Sequence, residues 1–320
     1  MKKTVVLALL TLVPSAYALE KYQGDDYEVK YESCGAPLVQ ALRKSDPEKL
    51  LNDPDAKLKL KASLERISEE NIERVEKELG TLSAKEEELL KLIQNKYYPP
   101  IVHRTSVETA KILLPKEWGL VSATKRKAPP AHTPSVEEKL YSAADCVFTA
   151  VAPPYGIDDY GTVLLRFKDR NGFAWGTVLT GWTWVKDVLK KPLTDASDDM
   201  KRKFAEMVYT NNHWEKAIAY QIIGHIRAGA SIRGLGKPYD KKTILDTLLT
   251  KTRSSDFWGT VAYHRLGFLE GHYSDNVELK QMSFIQFRED DRKEVNSWNL
   301  KSDWFEADPY AFIQFFDRTK

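Results

Sequence analysis

The chain has 320 residues, of which 48 are basic and 46 acidic, for a formal charge of +2. That length suits one large domain or two modest ones. The charge balance excludes a nucleic-acid binder that works by bulk electrostatics. Beyond the first residues there is no apolar run long enough for a membrane-spanning helix.

Met1-Lys2-Lys3 forms a basic start, residues 4–14 are apolar, and Ala16-Tyr17-Ala18 is a small-x-small cleavage site. This predicts a secretory signal peptide over residues 1–18. Leu19 rather than a cysteine follows the cut, so nothing points to a lipoprotein. The predicted mature chain, 19–320, is secreted or periplasmic and does not insert in a membrane. It carries two cysteines, Cys34 and Cys146. In an oxidising compartment an even pair most simply forms one disulfide. The other use of Cys146 is as a nucleophile.

Residues 19–98 form a predicted N-terminal helical region. A short helix is expected over 35–44, then a strongly helical block over 47–96. Leu60, Leu64 and Ile67 fall at helical spacing, as do Ile72, Val75 and Leu79. Gly80 suits the position after a helix end, and Ser83 with Glu86 forms a capping box for the next helix. The block reads as a helical cap or partner-binding arm.

The composition changes at Pro99-Pro100, and residues 99–320 read as one α+β domain. Residues 101–106 predict a short buried strand presenting His103 and Arg104. A helix over 107–114 follows. Residues 122–134 are basic and proline-rich, a surface loop. Strands are expected over 145–152, stopped by Pro153-Pro154, then over 161–167 and 173–178. The middle returns to helices. Met200, Phe204, Met207 and Val208 mark one, and Trp214, Ile218, Ile222 and Ile226 a second. A third covers 241–250, after a glycine-bearing loop over 227–239. His225, beside the apolar stripe, reads as a core histidine. Strands close the chain at 277–287 and 310–316. The pattern predicts a mixed or antiparallel sheet with inserted helices behind an N-terminal helical region.

No His-Glu-x-x-His, paired-cysteine or clustered-carboxylate pattern supplies metal-ligand spacing, and there is no Gly-x-Ser-x-Gly elbow or P-loop. Cys146 and His272 stand in the order used by papain-like cell-wall hydrolases. However, the run after Cys146 is β-like where that chemistry wants a helix N-terminus to lower the thiol pKa.

His103-Arg104-Thr105-Ser106, then Val147-Phe148-Thr149-Ala150 before prolines, then a late acid ahead of a β-rich run, resemble the ADP-ribosyltransferase toxin superfamily. The resemblance covers roughly residues 99–290. It implies NAD as co-substrate and transfer of ADP-ribose to a protein or other acceptor. It further implies that His103, Arg104 and Thr105 hold the adenosine ribose and phosphates, and that Phe148 stacks on nicotinamide. Thr149 would orient the acid. Glu278 is the expected catalytic carboxylate and Glu270 the alternative. A carboxylate beside the ribose stabilises the cation-like centre that forms as the nicotinamide bond breaks. The middle strand lacks the Ser-Thr-Ser of arginine-modifying members, and Asn276 stands two before Glu278 where a Glu or Gln often selects the acceptor, which leaves the acceptor open. A non-enzymatic exported binding protein, gripping a partner through the helical block, is the reading from a different class.

Overall fold

The structure is a computed structural model. It describes residues 34–43, 56–114, 119–126, 135–151, 161–168, 172–194, 196–230, 239–267, 269–273, 277–298, 300 and 313–317. The predicted signal peptide, residues 127–134 and 231–238 of the two predicted loops, the Pro153-Pro154 stop and Asn276 lie outside them.

Helix α1 is Ala36–Arg43. The block expected to be an arm forms α2 (Ala56–Leu79) and α3 (Ala84–Asn95). Gly80 sits between them at a φ of +63°, a conformation that costs glycine nothing. The Ser83 N–H and hydroxyl both donate to Glu86 Oε2, at 2.8 and 2.9 Å, opening α3 as the capping box predicts. These helices do not stand apart. Ile72, Leu89, Ile93 and Tyr97 belong to the same buried cluster as the central sheet.

The sheet has eight strands: β1 (Ile101–Thr105), β2 (Val147–Val151), β3 (Val163–Phe167), β4 (Phe173–Thr177), β5 (Val208–Thr210), β6 (Leu269–Tyr273), β7 (Met282–Arg288) and β8 (Ile313–Phe316). Their order is β5-β4-β6-β2-β1-β3-β7-β8. Every pairing is antiparallel except the one between β7 and β8. Nine helices follow the first three among the described residues, beginning with α4 (Val107–Leu113), α5 (Ala123–Arg126), α6 (Ser135–Tyr141), α7 (Gly181–Thr183), α8 (Asp198–Ala205), α9 (Trp214–Ala228) and α10 (Lys241–Leu249). Then come α11 (Ser254–Tyr263) and α12 (Arg292–Val295). A π-helical turn, Trp184–Val188, extends α7.

One face of the sheet is covered by helices, and the other is covered at its β4–β6–β2 end. One face packs on α3, α9, α10 and α11 through Ile101, Leu165, Phe173, Tyr273 and Phe287. The other face, at the β4–β6–β2 end, packs on α1, α6, α7 and α8 through Trp175, Tyr141, Trp184 and Phe204. The Cys34–Cys146 disulfide lies within this second cluster, with an S–S distance of 2.06 Å, and ties the start of α1 to the start of β2.

Two expectations change. Residues 277–287 do not form one strand. Val277 makes an isolated bridge to Leu120, Leu279–Gln281 is a single 3-10 turn, and the strand begins only at Met282. The Gln281 side chain accepts the Glu278 N–H at 2.8 Å, a local capping bond that competes with extension. The helix marked by Met200 and Phe204 ends at Ala205, and Val208 belongs to β5. The Asn71 side-chain amide on α2 donates to the Ala205 and Val208 carbonyls, each at 2.8 Å, and stops the helix there.

Candidate functional site

The cofactor-binding residues singled out by sequence lie on β1 and β2, and strand alternation divides them between the two faces. Val102 opposes Ala150, which puts Arg104 opposite Phe148 by continuing the register. Phe148 opposes His272 on β6, and His272 opposes Trp175 on β4. One row across four strands therefore carries Arg104, Phe148, His272 and Trp175 on the same face. Glu270 stands one step away on that face, opposite Ala150 and Thr177. His103, Thr105 and Thr149 point to the opposite face.

The residues of the other face serve the sheet. His103 donates from Nδ1 to the Phe148 carbonyl at 2.7 Å, which fixes its tautomer, since a carbonyl only accepts. The backbone ladder between β1 and β2 is only two pairs long, and the imidazole takes up a carbonyl just beyond it. The Thr149 hydroxyl donates to the Gly271 carbonyl at 3.0 Å. Thr105 is buried.

Arg104, on the row, donates from Nη1 to the Gly161 carbonyl at 3.2 Å. The Phe148 ring meets the His272 ring edge-on at 5.1 Å. His272 is fully buried and stacks on Trp175, with centroids 3.8 Å apart and planes inclined by 25°. Its Nε2 lies 3.1 Å from Glu270 Oε1, and the Tyr141 hydroxyl donates to the same oxygen at 3.3 Å. Tyr141 comes from α6 and is held by aromatic rings, stacked on Phe204 at 5.5 Å and edge-on to Trp175 at 5.3 Å. Glu137, one helical turn earlier, is also buried and bears on the same hydroxyl.

Burial decides the charges. The Glu270 side chain is only 12% exposed. Desolvation pushes its carboxyl up to about 8, against a smaller lowering by the Tyr141 hydrogen bond. Burial also pushes the His272 imidazole down to about 3, the Trp175 backbone partly offsetting it. Both groups are thereby favoured neutral at pH 7. Burial and the Glu137 and Glu270 carboxyls hold the Tyr141 phenol well above the usual tyrosine range.

Glu278 is elsewhere. It precedes the 3-10 turn ahead of β7, its side chain is 60% exposed, and it pairs with Lys280. β7 is two strands from β1, about 10 Å across the sheet, and Glu278 lies beyond the end of that strand. The structure brings Arg104, Phe148 and Glu270 onto one face and leaves Glu278 outside the group.

Sequence reasoning missed Tyr141, Glu137 and Trp175 as neighbours of the acid. The only signal for the first two was their i, i+4 spacing on a short helix. Cys146 is bonded to Cys34, so the thiol required for a Cys146–His272 dyad is absent, and His272 turns to Glu270. Among the described residues no group of three histidine, cysteine or acidic side chains is placed to hold a metal, and no helix is long and apolar enough to cross a membrane. No protein-family model matches the chain, and a search of curated proteins finds no match.

Proposed function

We propose that the protein is an exported ADP-ribosyltransferase-like enzyme that cleaves NAD at the nicotinamide–ribose bond, with Glu270 as its carboxylate. The observation that supports this reading is the shared face: a guanidinium, an aromatic ring and a carboxyl on three adjacent strands, β1, β2 and β6. A dinucleotide presents the same three needs in sequence. Its pyrophosphate suits bidentate donation from Arg104. Its nicotinamide ring suits stacking on Phe148. Its ribose 2′-hydroxyl and developing cation suit Glu270 once that group is ionised. Glu270 replaces Glu278 in the role because the latter is solvated and paired with Lys280.

The purified protein should release nicotinamide from NAD and label itself or an added protein acceptor from NAD carrying a tagged adenylate. Glu270→Gln should abolish both, while Glu278→Gln should leave both at the wild-type rate. Cleavage that survives Glu270→Gln would overturn the assignment.

The burial of Glu270 favours a second reading. A carboxyl held neutral at pH 7 binds a hydroxyl but stabilises a cation poorly, which suits an exported protein that binds a nucleotide or partner without turnover. Saturable NAD binding with no nicotinamide released up to pH 9 would select it.

A further inference from the structure

Behind Glu270 lies a group that the proposed chemistry does not use. Glu137 is buried on α6, against the glycine that opens α7. A Cβ at Gly181 would lie 2.9 Å from Glu137 Cγ and 3.1 Å from Tyr141 Cε1, so the helix contact is tight at this point. The Tyr141 hydroxyl donates to Glu270 at 3.3 Å, and the buried Glu137 carboxyl, one helical turn earlier, bears on the same phenol. A phenol has one hydrogen. It can donate to one carboxyl; the other must bring its own proton or face the phenol oxygen as a buried repelling anion. Two carboxyls on one buried hydroxyl therefore do not ionise independently.

The other groups facing this unit do not relieve it. From β6, His272 shares the Glu270 oxygen but is buried in its neutral form. From β4 and β2 come Trp175, Thr177 and Phe148, which carry no charge. Glu138, next on α6, turns instead to the Ala144 N–H at 2.7 Å and sits beside Asp145. Of the cations on the same sheet face, Arg104 is two strands away on β1 and bonds to the Gly161 carbonyl, and Arg166 is one strand further, on β3, over the Phe284 ring.

We propose that Glu137 is a positioning residue for Glu270: through the Tyr141 hydroxyl the two carboxyls share protons, and Glu137 thereby sets the pH at which Glu270 becomes the carboxylate that NAD cleavage requires. The proposal rests on the reading of Glu270 given above. The proton lost from Glu270 passes to solvent; no other bond changes. In Glu137→Gln the amide donates to the phenol oxygen and leaves the phenol hydrogen for Glu270, with no second carboxyl competing.

The test follows the Glu270 carboxyl carbon by NMR in protein labelled with carboxyl-carbon-13 glutamate, the resonance being assigned by its loss in Glu270→Gln. This readout needs no turnover. The Glu270 midpoint should fall by about one pH unit in Glu137→Gln and stay at the wild-type value in Glu138→Gln, the neighbouring control. It should rise in Tyr141→Phe, and Glu137→Gln added to Tyr141→Phe should produce no further fall. The pH profile of NAD cleavage should move down by the same interval in Glu137→Gln, about tenfold more activity on the acid limb. A midpoint unmoved in Glu137→Gln overturns the proposal, and so does an equal fall in Glu138→Gln. Midpoints that move as expected in a protein that cleaves no NAD at any pH uphold the proton sharing and overturn the proposed activity instead.

Discussion

Removing the Cys34–Cys146 bond should destabilise the protein without unfolding it. The two residues are 112 apart in sequence, so the cross-link closes a loop of roughly a hundred residues in the unfolded chain. Chain entropy for such a loop is worth about 4.7 kcal/mol, and measured losses run about 2–5 kcal/mol. Little packing is lost besides, because a Cys34→Ala/Cys146→Ala pair keeps both sites apolar and both are buried. In a chain of this size each kcal/mol moves the melting temperature by about 2 °C or slightly more, giving a fall of about 5–12 °C. The consequence reaches the site, since Gly35 follows Cys34 and its Cα lies against the Trp175 indole, where an added Cβ would come within 2.8 Å of Nε1. Thermal melts by circular dichroism, with and without reductant, measure the effect. Reduced wild type should melt with the double variant, and the variant should ignore reductant. A melting temperature unchanged by a reductant that peptide mapping shows to have opened the bond would refute the reasoning. Two free thiols in the untreated protein would refute the pairing itself.

The buried pair gives a stability profile with a flat top. Glu270 has a folded pKa of about 8 against an ordinary 4.5, so the folded state holds the extra proton and stability falls as pH rises between those values; His272, at about 3 against 6.5, makes stability rise with pH over its own window. The two slopes cancel between about 4.5 and 6.5, leaving an alkaline loss of about 2 kcal/mol from pH 6.5 to 8; denaturant titrations should show it in wild type and not in Glu270→Gln. Gly271→Ala should cost about 1–3 kcal/mol, because its Cβ would lie 2.6 Å from both the Phe173 ring and the Thr149 hydroxyl. A midpoint shift under half that size in urea would show that the strands relax around it.

Much of the scaffold can be read from residues alone, and the places where reading fails share one cause. Pro99-Pro100 and the β-rich run after them mark β1, and the apolar steps of four from Trp214 mark α9, because in each the local preference and the buried face agree. β6 has no such signature. Leu269-Glu270-Gly271-His272-Tyr273 places two ionisable residues and a glycine in a strand hydrogen-bonded on both sides. Glycine is needed there because Thr149 and Phe173 fill the space, and the polar pair is tolerated because its members bond to each other and to Tyr141. Each of these reasons is a contact with a distant part of the chain, which hydropathy does not record.

The same cause displaces the predicted acid. Residues 277–287 look uniformly β-rich, so the carboxylate in that run is the natural choice; a single bond from the Glu278 N–H to the Gln281 side chain turns the backbone and leaves Glu278 in solvent. The packing of the helical block is hard to read for a related reason. Its exposed charge is legible, but Ser68 and Asn71 are not marked as sheet contacts, although the Ser68 hydroxyl accepts the Thr210 N–H at 2.9 Å and Asn71 holds the carbonyls leading into β5. Edge strand β5 is therefore completed by a helix rather than by another strand. A truncation that removes α2 would expose the edge it covers and the apolar face of β4 and β5 beside it. Loss of folding on deleting residues 47–96 would therefore say nothing about partner binding, and a search for a partner surface on this block is better made with substitutions at exposed α2 positions such as Leu58.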